Sequence, residues 1–78
     1  MNEDISKEVI ESSKGKMIII SYYFPSETRG YSIDYVSGIV DRVDDEIVVL
    51  KKSDASVTYF DYTSFDIYEI NVKEFVAN

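Results

Sequence analysis

The chain contains no cysteine and no histidine. Without cysteine there is no disulfide framework and no thiolate metal site. Without histidine, the commonest general base and the commonest zinc ligand are both missing. No glycine-rich phosphate loop occurs, and no Ser–His or Cys–His pair can be assembled. Repeats and low-complexity tracts are also lacking. The longest apolar run, Met17 to Ile20, is far short of a membrane span. Residues 1–16 carry Glu3, Asp4, Glu8 and Glu11 and no apolar stretch of signal length. The expectation is a cytoplasmic protein with no membrane contact. Basic residues are scarce, 8 against 15 acidic, for a formal charge of −7. Phosphate contacts supply most non-specific nucleic-acid affinity and require Lys and Arg, so this balance argues against nucleic acid and for a protein partner.

What is present is a chain of 78 residues rich in tyrosine (seven) and phenylalanine (four), too apolar for a disordered polypeptide. At this length about 60% of the unfolded surface can be buried. That gives a single domain over 1–78 with one thin core, in which a deep catalytic cleft is hard to build.

The opening segment, Asn2 to Gly15, reads as a helix over about 4–14. Asn2 or Asp4 can cap it, Gly15 can stop it, and Ile5, Val9 and Ile10 form a narrow apolar stripe. Five strands follow, at about 16–24, 33–43, 47–52, 57–62 and 66–72. The first is apolar on both alternating faces, with Ile18, Ile20, Tyr22 and Phe24 on one and Met17, Ile19 and Tyr23 on the other. Such a strand is expected to be covered on both sides, the second face by the helix. Pro25 to Ser32 reads as a loop, Asp44 to Glu46 and Ser53 to Ser56 as turns, and Thr63 to Phe65 as a single 3₁₀ turn. The tail after Val72 is expected to fray unless Phe75 packs. Gly38, in the middle of the second strand, permits a sharp bend. Short strands on so small a domain favour a bent antiparallel sheet closed into a small barrel, which removes exposed edges.

Helix, bent five-stranded barrel and a one-turn break before the last strand resemble the Sm-like layout. The stretch GIVDRVDDEIVVLKK is similar to the Sm core pattern of glycine, alternating apolar residues, acidic turn and apolar strand. Within that group the chain resembles the YolD-like family of small bacterial and phage proteins. The resemblance rests on Gly15-Lys16, on Ile20-Ser21-Tyr22-Tyr23, on Gly38 to Asp44, and on Phe65-Asp66-Ile67-Tyr68-Glu69-Ile70. It covers about residues 5–72, and it implies a mainly β fold with one N-terminal helix, an Sm-like bent five-stranded antiparallel small barrel. It also implies a setting in DNA repair or phage–host biology. The bacterial Sm-type RNA chaperone, similar in the last strand, binds RNA through a Tyr-Lys-His element. Aligned on Ile67 and Ile70, the matching residues here are Thr63, Ser64 and Phe65, so those donors are absent.

These observations lead to a non-enzymatic binding module with no cofactor and no metal. It is expected to be a monomer or small homo-oligomer, contacting a protein through Glu27, Arg29, Tyr31 and Tyr35. Tyrosines suit strands and half-buried surfaces, but those left exposed beside the 25–32 segment would mark a contact. Two alternatives stay open: an acidic inhibitor that imitates nucleic acid for a basic protein, and an Sm-type RNA-binding ring. Asp44, Asp45 and Glu46 are adjacent and cannot all point at one cation, so a solvated turn is the better reading. Asp61 and Asp66 flank the last turn, where a carboxylate more often bonds backbone N–H groups than does acid–base work. Lys51 and Lys52 are expected to face opposite ways and to protect an edge.

Overall fold

In a computed structural model, which describes residues 1–73, the chain forms one helix followed by a single five-stranded antiparallel sheet. The elements are α1 (Glu3–Ser12), β1 (Met17–Ser26), β2 (Gly30–Val43), β3 (Ile47–Lys51), β4 (Val57–Asp61) and β5 (Asp66–Lys73). The mainly β architecture with an N-terminal helix is therefore as expected. The strand order is β4-β3-β2-β1-β5. The sheet does not close into a barrel: β4 and β5 are its two edges. Aromatic side chains reach between them instead. Tyr22 of β1 packs on Phe60 of β4 at 5.0 Å and on Phe65, just before β5, at 4.6 Å between ring centroids. Phe60 and Phe65 stack at 5.5 Å.

The bend has two local causes. A register shift between Val40 and Arg42 makes Asp41 an extra residue in β2, and a second shift opposite Ser21 and Tyr22 makes Tyr68 an extra residue in β5. Such bulges sharpen strand twist. The concave face gathers Ile18 and Ile20 of β1, Val40 of β2, Val48 and Leu50 of β3, Phe60 of β4 and Ile67 of β5, with Tyr62 and Ile10 completing the core.

The helix begins as expected: the Asn2 side chain accepts a hydrogen bond from the Ile5 N–H at 2.9 Å. It ends earlier than expected, at Ser12. Ser12 donates to the carbonyls of Glu8 and Val9, and Ser13 donates to that of Val9 at 2.7 Å. These side-chain bonds compete with the backbone ladder. The buried stripe also differs. Ile5 is exposed, whereas Ser6, Ile10 and Ser13 face the sheet. Small serines at i and i+7 share one face with Ile10 at i+4 and fit where larger groups would not.

Ser6 is fully buried, and its hydroxyl has no hydrogen-bond partner. An unsatisfied buried hydroxyl costs roughly 1–3 kcal/mol, and alanine also has the higher helix propensity. Ser6→Ala is expected to stabilise the fold by about 1 kcal/mol, read as a rise in the urea midpoint. A fall in the midpoint would show that the hydroxyl is satisfied.

The 25–32 segment is not a loop. β1 runs on through Pro25 to Ser26 and pairs with β2 down to Ser26↔Gly30, leaving only Glu27 to Arg29 as the turn. Gly30 supplies the left-handed residue (φ 79°) that ends three-residue hairpins. Proline is tolerated because β5 stops at Tyr23↔Asp66, so β1 is an edge strand at Pro25. The 63–65 connection is a hydrogen-bonded turn, with Ser64 N–H donating to the Asp61 carbonyl, rather than a 3₁₀ turn. The expectation for Phe75 lies outside the described residues.

Candidate functional site

One face of a two-stranded ribbon repeats every second residue. On β2 this places Tyr31, Ile33 and Tyr35 together, and their exposures are 60%, 52% and 67%. The register sets Pro25 opposite Tyr31, Tyr23 opposite Ile33, and Ser21 opposite Tyr35. The strip from Tyr31 to Tyr35 is about 14 Å long at the usual strand rise. It lies on the convex side of the sheet, the side of β1 expected to be covered by the helix. The helix instead closes the concave side through Ile10. Met17, Ile19 and Tyr23 are half-buried, with Ile39, Ser37 and Ile33 opposite them on β2.

Tyr68, pushed out by the β5 bulge, extends the strip from the other side and is 51% exposed. Tyr23 sits between two aromatic partners. Its ring meets Tyr31 edge-to-face at 5.0 Å and 87°, and Tyr68 at 5.5 Å and 75°. Burial, then the neighbouring Tyr31, Tyr68 and Asp66, raise the Tyr23 phenol above its ordinary value. Beside Tyr23 a cleft of about 470 Å³ opens, lined by Tyr23, Phe24, Pro25, Gly30, Tyr31 and Asp66.

The opposite end of the same convex face is basic. Lys73, Met17, Ile39 and Lys51 form one cross-strand row. Lys51 and Lys52 line a second cleft with Met17, Ser37, Gly38, Ile39 and Ser53. The two lysines were expected to point apart. β3 ends at Lys51, so strand alternation does not govern Lys52.

The four residues expected to form the contact are thus only partly together. Tyr31 and Tyr35 share the strip, while Glu27 and Arg29 occupy the turn at the ribbon's tip. Tyr23, Ile33, Tyr68 and Asp66 join the same face and were not among the residues expected there. The alternation in YSIDY was the available signal for Ile33; nothing in the sequence marks the bulge that exposes Tyr68.

The carboxylates elsewhere are engaged locally. Asp44 accepts from the Glu46 and Ile47 N–H groups, and these bonds hold its carboxyl below the ordinary range. Asp61 accepts from the Thr63 and Ser64 side chains and is likewise lowered. Asp45 pairs with Lys7 at 2.7 Å. No group of three His, Cys, Asp or Glu residues could hold a metal ion among the described residues. No helix among them is long and apolar enough to cross a membrane.

No family model matches the chain, and no curated protein or solved structure matches it either.

Proposed function

We propose that this chain is a small non-enzymatic binding module of the Sm-like, YolD-like type, and that it docks a protein partner on the convex face of the β1–β2 ribbon. The observation that carries this is the strip Tyr31, Ile33 and Tyr35, each more than half exposed, joined through Tyr23 to exposed Tyr68. Contiguous apolar surface of this kind marks interaction sites, and tyrosine is enriched among the residues that dominate binding energy. The resemblance supplies the setting, DNA repair or phage–host biology. The helical acids support the nucleic-acid-mimic reading less well. Lys7 interrupts their row and pairs with Glu11 and Asp45.

The test is a pull-down from bacterial lysate at moderate salt, comparing the wild type with Ile33→Glu, a surface change that leaves the core intact. The expected result is a protein retained by the wild type and reduced at least about tenfold by the variant, as for loss of a central anchor. Equal capture by both would remove the strip from the contact.

The two open edges favour one second reading. A ring would join β4 of one copy to β5 of the next, and both strands have a free side. A hexamer or heptamer that shifts RNA would support it over the docking module.

A further inference from the structure

We propose that the cleft at the step where β5 ends binds the guanidinium of an arginine side chain carried by the partner. This rests on the docking face described above and names the side chain that face recognises.

The step arises because β5 pairs with β1 only as far as Tyr23↔Asp66, while the ribbon continues through Pro25 and Tyr31. Asp66 is therefore the first residue of β5, placed at the foot of the projecting ribbon. Three features converge there. The Tyr23 and Tyr31 rings stand perpendicular at 5.0 Å, so they form a corner with a π face on each wall. Pro25, on the same face as Tyr23 and Tyr31, adds an apolar wall. The Asp66 carboxylate borders the same cleft, and no cation among the described residues pairs with it.

A cation over tyrosine faces is attracted by the ring quadrupole, and more strongly when partly desolvated. A carboxylate at the rim adds the opposite charge. Arginine suits this pairing better than lysine: its planar guanidinium stacks on aromatic rings and offers a donor fork to a carboxylate at the same time. The chain's charge of −7 favours the approach of a basic segment. Neighbouring Tyr68 packs near-perpendicular to Tyr23 at 5.5 Å and restricts the wall ring.

The probe is a blocked tripeptide, acetyl-Gly-Arg-Gly-amide, titrated against the full chain and followed by NMR. Its citrulline and lysine counterparts serve as neutral and ammonium controls, and a blocked proline-rich peptide tests the uncharged occupant. The expected result is saturable movement of the Tyr23, Tyr31 and Asp66 amides. The arginine δ-methylene protons should shift upfield, as protons over a ring face do. The citrulline peptide should leave the spectrum unchanged, and the lysine peptide should bind more weakly. Asp66→Asn and Tyr31→Ala should each weaken binding about five- to tenfold. Glu8→Gln, which removes one exposed charge from the helix, should leave it unchanged.

Shifts spread over the acidic helix and insensitive to Asp66→Asn would overturn the proposal. So would equal binding of the citrulline, lysine or proline-rich peptide. If Ile33→Glu abolishes partner capture while Asp66→Asn leaves it intact, the arginine site is overturned and the docking face stands.

Discussion

Gly38→Ala is expected to cost this small domain about 3–5 kcal/mol. A β-carbon at residue 38 would stand 2.9 Å from the Leu50 Cβ, 3.0 Å from the Lys51 carbonyl oxygen and 3.3 Å from the Leu50 carbonyl carbon. Two of these are backbone atoms of β3, so no rotamer change relieves the contact. The backbone at Gly38 also has φ 154°, a conformation that side-chain-bearing residues rarely adopt. Strained dihedrals cost about 1–3 kcal/mol, and overpacking a filled core adds about 1–3 kcal/mol. Total stability for a chain of this length is about 4–12 kcal/mol, so the loss is a large share of it. With a urea m-value near 1 kcal/mol/M, the midpoint should fall by about 3 M or the chain should fail to fold. Gly30→Ala keeps the test interpretable. Gly30 also has positive φ, but nothing lies within 4 Å of a β-carbon there. Its loss should be only about 1–2 kcal/mol. Equal losses at the two sites would show that the β2–β3 contact is looser than the structure has it.

A special backbone at Gly38 was legible in the sequence, because a glycine inside a strand marks a bend or a close approach. Here it serves the close approach to β3, and the bend comes from the bulges at Asp41 and Tyr68. The strand count and the turns at 44–46 and 53–56 were legible because alternation and short polar breaks are local signals. Three features were not. The Ser6–Ile10–Ser13 stripe was hidden because a search for apolar spacing passes over serine. The ribbon beyond Tyr23 was hidden because Pro25, Gly30 and three polar residues read as a loop, and only the early end of β5 turns β1 into an edge there. The uncovered convex face was hidden because apolar residues on both sides of β1 suggest two-sided burial. In fact one helix, docked by Ile10, can close only one side. The docking strip follows from the last two facts together. Tyr31 and Tyr35 could be chosen from composition, but their union with Tyr23, Tyr68 and Asp66 depends on register and on a bulge.

Tyr62 is the side chain whose loss should match or exceed that of Gly38→Ala. It is 1% exposed, and its hydroxyl donates to the Asp44 carbonyl at 2.6 Å. Its own N–H donates to the Glu46 carbonyl at 3.1 Å. One residue thus ties the turn before β5 to the turn between β2 and β3, with Ile10 of the helix in the same core cluster. Truncating a buried aromatic costs about 3–5 kcal/mol, so Tyr62→Ala should lose a large share of the total stability and lower the urea midpoint by about 3 M or more. Tyr62→Phe keeps the ring and removes one hydrogen bond, leaving a carbonyl without its donor at a cost of about 1–2 kcal/mol. The phenol adds a pH signature. Burial, the largest influence on it, raises its titration above the ordinary 10.0. A group held protonated by the fold stabilises fully below its unfolded value and loses that contribution as pH rises past it. Stability should therefore be level from neutral pH to about 9 and fall above about 10. Tyr22 and Tyr23 contribute in the same direction, so Tyr62→Phe should flatten the fall without abolishing it. Urea midpoints at pH 7, 9 and 10.5 for the wild type and Tyr62→Phe decide the matter. Parallel losses above pH 10 would mean that the phenol already ionises freely in the fold. That would rule out its hydroxyl as the anchor between the two turns.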